Sequence, residues 1–203
     1  MRIYKFLLIS VLFTIFPTSS AETSMEAIIK MLQHGGYVLY VRHGVTDYEQ
    51  SDSDLTDLNN CQTQRNLSTQ GKTESAELGK AIQQAGIKLS TVKSSPYCRC
   101  VDTAQTAFAQ VDIAPLLRAT FNENEQSTKQ LLAYLGEKLT EVPPEGTNSV
   151  LVSHSANLRE VTGIWPKPEG VVHVFKPNGE SYRHIGKILP EQWREYLNEN
   201  NVK

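Results

Sequence analysis

The chain has 203 residues, a formal net charge of −2 and 39% hydrophobic residues. That length suits one domain with a substantial core, and a weakly acidic chain without a lysine-rich run excludes nucleic acid as the expected partner. It carries no HExxH, no paired CxxC and no glycine-rich phosphate loop, so no metal and no cofactor is expected.

Residues 1–21 follow the pattern of a secretory signal. Arg2 and Lys5 open it, an apolar run spans 6–16, and Ser19-Ser20-Ala21 offers a small-residue cleavage site. The run is shorter than the about 20 residues a membrane-spanning helix needs. Cleavage after Ala21 is therefore expected, leaving one domain over 22–203, no membrane span and a periplasmic or secreted location. Losing two basic residues takes the formal charge from −2 to −4. In an exported chain the three cysteines, Cys61, Cys98 and Cys100, suggest one disulfide and one free thiol. Cys98 and Cys100 are too close to pair easily, so Cys61–Cys98 is the chosen bond, with three reduced thiols as the alternative.

Ser24 reads as the cap of a first helix carrying Ile28, Ile29 and Leu32, stopped by Gly35. A short run of strand formers, residues 37–41, then ends abruptly in Arg42-His43-Gly44. Residues 47–66 form a long loop rich in Asp and Asn, of the kind that covers a site. Ser68 opens a second helix whose Leu78, Ala81 and Ile82 recur at helical spacing up to Gly86. A second strand over 89–92 runs into Ser94-Ser95-Pro96, and a helix over 98–108 places Arg99 in its first turn. Residues 113–117 read as a third short strand. Ser127 reads as the cap of a helix with Leu131, Leu132, Leu135 and Leu139 on its core face. A fourth strand, 149–152, delivers Ser153-His154-Ser155 to a helix over 156–161. Pro177-Asn178-Gly179 joins the two arms of a hairpin, and Pro190 starts a last helix bearing Trp193 and Tyr196. Strands alternating with helices indicate an α/β domain with a mostly parallel central sheet.

Chemistry gathers where strands end. In open α/β sheets, ligands bind beyond the carboxyl ends of the strands. If the first, second and fourth strands are neighbours, Arg42, His43, Arg99 and His154 converge there. Two guanidiniums and two imidazoles around one point suit a phosphoryl group: arginine forks match its oxygens, and a neutral imidazole nitrogen can attack phosphorus. Ser153-His154-Ser155 lacks the flanking glycines of a serine nucleophile elbow. His34, His173 and His184 have no such setting and read as surface or packing residues.

These residues resemble the histidine phosphatase superfamily (branch 1), of phosphoglycerate-mutase-like fold. The likeness lies in Arg42-His43-Gly44-Val45-Thr46, Asn66-Leu67-Ser68 with Gly71, Ser94-Ser95-Pro96 with Arg99 and Thr103-Ala104, and Leu151-Val152-Ser153-His154. The resemblance implies a three-layer α/β/α sandwich and a phosphatase acting on a small phosphorylated substrate, which the signal pattern makes an exported one. His43 would be the phosphorylated nucleophile, with Arg42, Arg99 and His154 holding phosphoryl oxygens. Ser155 stands where the family commonly has glycine, and no motif marks the general acid. Glu123 is the first choice, ahead of Glu125 and Asp47. The alternatives are a phosphatase of an envelope sugar phosphate, as in lipopolysaccharide core trimming, and a non-catalytic phosphoanion-binding module.

Overall fold

A computed structural model describes residues 23–200. The expected signal at 1–21 and its cleavage site lie outside the described residues. Six strands form one sheet in the order β3-β2-β4-β1-β5-β6: β1 Val38–Arg42, β2 Leu89–Ser94, β3 Asp112–Ile113, β4 Asn148–Ser153, β5 Val172–Pro177 and β6 Tyr182–Ile188. The first four of these run parallel, and β5 and β6 add an antiparallel hairpin.

Strand alternation sorts the core into two faces. Leu39 and Val41 of β1 pack with one layer, made by α1 Met25–His34, α2 Thr69–Gln84, α3 Cys98–Phe108 and α6 Pro190–Asn200. Val38 and Tyr40 pack with the other, made by α4 Glu125–Thr140 and α5 Ser155–Thr162. The fold is thus a three-layer α/β/α sandwich. α2 and α3 carry the chain toward the β3 edge on one face, and α4 brings it back on the other to insert β4 between β2 and β1. That is the pattern right-handed crossovers require. β1 and β4 then send their following helices to opposite faces, which opens a crevice at their shared carboxyl edge.

Two local expectations differ from the structure. Residues 113–117 are not one strand: β3 ends at Ile113, and Pro115–Leu117 forms a 3-10 turn. Pro115 has no N–H to offer a ladder. The cap of α4 is Asn124, whose side chain accepts from the Ser127 amide; Ser127 stands at the third helical position, so the acceptor comes from three residues upstream.

Candidate active site

The parallel register pairs Arg42 with Ser153 and Val152 with Ser94. His43 and His154, one residue further on, therefore emerge side by side, their ring centroids 5.6 Å apart in an edge-to-face arrangement. Both are buried, as is Arg99. Together with Arg42, Asp52, Arg65, Phe121, Ser155 and Ala156 they line a cavity of about 250 Å³.

The turn after His43 is braced from two sides. Gly44 donates its N–H to Thr103 Oγ1 at 2.9 Å, while Thr103 donates to the Arg99 carbonyl at 2.6 Å. Ser68 caps α2 through the Gly71 amide and gives its own hydroxyl proton to the Val45 carbonyl at 3.0 Å. A Cβ on Gly71 would fall 2.1 Å from that same carbonyl oxygen, so only glycine lets α2 start this close. The sequence motifs around Ser68 and Thr103 are thus supports of the His43 turn.

His43 Nδ1 lies 3.0 Å from the Gly44 carbonyl. That bond assigns the proton to Nδ1 and leaves the lone pair on Nε2. Burial lowers the pKa of His43 to about 3, helped by the nearby Arg99 charge and opposed by the Gly44 carbonyl. The ring is neutral in any ordinary buffer. Burial, then the neighbouring His43 and the arginines, holds His154 well below the ordinary histidine range. Its Nε2 shares a 2.8 Å hydrogen bond with Ser95 Oγ, and Tyr97 packs edge-on at 4.8 Å.

Each arginine is fixed by a different device. Arg42 donates to the Pro166 carbonyl at 3.1 Å and pairs with the buried Glu169 at 2.9 Å. Glu169 also accepts from the Thr46 amide at 3.0 Å and the Tyr48 hydroxyl at 3.1 Å. Arg99 lies over the Tyr97 ring at 4.5 Å and pairs with Asp52 at 3.0 Å. Arg65 faces the Tyr48 ring at 5.4 Å and has no ion pair among the described residues. The Nε atoms of all three are buried without a protein partner. A guanidinium carries five donors, so these three hold more N–H groups than the protein's own acceptors use. The first turn of α5 opens at the same cavity without a side-chain cap, adding amides and dipole for an anion.

The structure brings Arg42, His43, Arg99 and His154 together. It does not bring Glu123 to them: its carboxylate forks onto Arg118, with Nη2–Oε2 at 3.0 Å, and that pairing lowers its pKa. Glu125 pairs with Lys129 at the surface, and Asp47 caps its own turn through the Glu49 amide. None of the three lines the cavity; Asp52 is the carboxyl that does. Arg65 and Glu169 escaped the sequence reading. Arg65 directly precedes the Asn66-Leu67-Ser68 turn, which was the available signal; Glu169, in an unpatterned segment, had none. Cys61 and Cys98 form a disulfide with Cα atoms 5.7 Å apart, and Cys100 is a buried thiol.

The sequence pattern of the histidine phosphatase superfamily (branch 1) matches residues 38–130, the stretch that holds His43 and Arg99. That stretch carries the pattern of the histidine phosphatase superfamily. Among solved structures it is similar to the protein histidine phosphatase SixA complexed with tungstate, at 15% identity and a TM-score of 0.52 over 82% of this chain and 99% of SixA. The ecdysone phosphate phosphatase of Bombix mori in complex with tungstate gives 13% identity and a TM-score of 0.52, covering 76% of this chain and 93% of that one. A mutant phosphoserine phosphatase from Entamoeba histolytica in complex with phosphoserine gives 15% and 0.51, covering 77% and 98%. At these identities the likeness is one of fold. No curated protein matches the chain by sequence.

Proposed function

We propose that this protein is a histidine phosphatase, exported, that hydrolyses a small phosphomonoester through a phosphohistidine on His43. The observation that carries the reading is the buried, neutral His43 with Nε2 free, beside His154 in a cavity lined by three guanidiniums. Hydrolysis of such esters is among the slowest uncatalysed reactions, so positioned charge must supply much of the rate.

In the first displacement Nε2 forms a bond to phosphorus as the bond to the leaving oxygen breaks. Arg42, Arg99, Arg65 and His154 hold the equatorial oxygens. Asp52, the carboxyl lining the cavity, takes up a proton from water beforehand and gives it to the leaving oxygen. Water then attacks phosphorus on the far side, Asp52 takes the proton back, the P–N bond breaks and inorganic phosphate departs. Tungstate, the ligand in the SixA and ecdysone phosphate phosphatase structures, is a tetrahedral oxyanion of the kind this arrangement suits. The signal pattern and the Cys61–Cys98 bond support a periplasmic or secreted location.

One observation favours a second reading. Asp52 is tied to Arg99, and a site without a working acid would be a phosphoanion-binding module. The two separate on an aryl phosphate assayed between about pH 5 and 7, with and without chelator. The phosphatase releases phosphate, ignores the chelator, is silenced by His43→Ala and yields an acid-labile phosphate on His43 by mass spectrometry. Phosphate binding without turnover points to the module. Transfer of the phosphoryl group to a second hydroxyl, with no phosphate released, marks a mutase.

A further inference from the structure

The turn that presents Phe121 to the cavity holds no phosphoryl oxygen, yet it is secured from several sides. Arg118 forks onto Glu123 across it, and the Glu123 amide donates to the Thr120 carbonyl at 3.2 Å. From α5, Asn157 Nδ2 donates to the Arg118 carbonyl at 2.8 Å, while Glu160 accepts from the Thr120 hydroxyl at 3.1 Å. Phe121, held in this way, remains 48% exposed. Its inner edge leans on Tyr97 at 6.2 Å between centroids, and Tyr97 in turn packs against His154. Among the residues lining the cavity, Phe121 is the one large apolar side chain. Trp165 and Tyr48 are exposed too, but neither lines it. Arg159 and Lys167 cover the Trp165 ring at 4.5 and 5.2 Å, and Arg65 and Glu169 occupy Tyr48.

A half-exposed phenylalanine forgoes apolar burial, and a loop free to move would fold it inward. Here the turn is braced to keep the face open beside the phosphoryl site. We propose that Phe121 is a platform for the leaving group, and that the substrate carries its phosphate on a ring with a flat apolar face, a sugar or an aromatic ring. This rests on the phosphatase reading and adds to it the class of alcohol released. Glu123 then acts with Arg118 as a positioning residue for the platform, which accounts for an acid near the cavity that does not line it.

The test is steady-state kinetics on three esters of primary alcohols, so that leaving-group chemistry is similar: a hexose 6-phosphate, benzyl phosphate and acyclic glycerol 3-phosphate. The wild-type protein favours at least one ring substrate over the acyclic one by about five- to tenfold in kcat/KM, as expected for one stacked face. Phe121→Ala collapses that ratio toward one, chiefly through KM, and Phe121→Tyr retains it. Preference for benzyl phosphate alone identifies an aromatic alcohol; preference shared by the hexose ester identifies a sugar. Glu123→Gln raises KM for the favoured ring without the steep kcat loss on these poor leaving groups that removal of a proton donor causes. A wild-type protein without ring preference, or a ratio untouched in Phe121→Ala, overturns the platform and leaves the phosphatase standing. No turnover of any ester overturns both.

Discussion

Replacing Cys61 and Cys98 together by alanine removes a bond that ties the loop carrying Asp52 and Arg65 to the helix carrying Arg99. The bond joins positions 37 residues apart. On the chain-entropy relation a loop of that length restrains the unfolded chain by about 13 cal/mol/K, or about 4 kcal/mol at 25 °C. Unfolding a chain of roughly 180 residues gains about 2.1 cal/mol/K per residue, so the loss translates to a fall of about 10 °C in Tm. Function follows through geometry: Gln64, three residues past Cys61, accepts from the Cys98 amide at 3.0 Å, and Asp52 accepts from the Arg65 amide at 2.9 Å. Freed of the tether, both contacts loosen, and KM for a phosphomonoester rises several-fold while His43 stays in place. Thermal unfolding of oxidised, reduced and double-alanine protein measures the first effect, and alkylation with and without reductant confirms the bond. A Tm drop below about 3 °C would refute the estimate and mean that the loop is already restrained in the unfolded chain.

Glu169→Gln keeps the shape of the side chain but removes the charge that fixes Arg42, and should lower kcat/KM at least about tenfold; an unchanged value would leave Glu169 as a fold residue only. Ser95→Ala leaves Nε2 of His154 only the Cys100 thiol at 3.6 Å, and a fall of about tenfold in kcat/KM is expected from losing the shorter orienting bond; steady-state kinetics read it directly. Stability should decline in mild acid, because burial lowers His43 to about 3, His173 to about 4 and His154 well below its ordinary range. As pH falls through about 6.5 the unfolded chain takes up protons on these rings while the folded chain does not. Stability is then complete above about pH 7 and decreases on acidification by up to about 1.4 kcal/mol per pH unit for each histidine. Urea midpoints that stay constant from about pH 7 to 5 would contradict the burial argument.

Much of the frame was legible because its signals are local. An apolar run that stops at Arg42-His43-Gly44 announces a strand end wherever it occurs, and the same holds for Ser153-His154 and for Arg99 in the first turn of α3. Alternation within β1 gives both core faces without reference to any partner. The carboxylates behave otherwise. An acid in an irregular loop carries no periodicity, and its role depends on which cation folding brings to it. Glu123 is captured by Arg118 only five residues away, whereas Asp52 reaches Arg99 across 47 residues and Glu169 reaches Arg42 across 127. Residue types and their local order pointed to Arg42, His43, Arg99 and His154 of the proposed phosphoryl site, but not to Arg65. Only the tertiary structure decided which acids serve them and that Phe121 faces the cavity, because long-range ion pairs and loop placement follow from packing, not from neighbours in the chain.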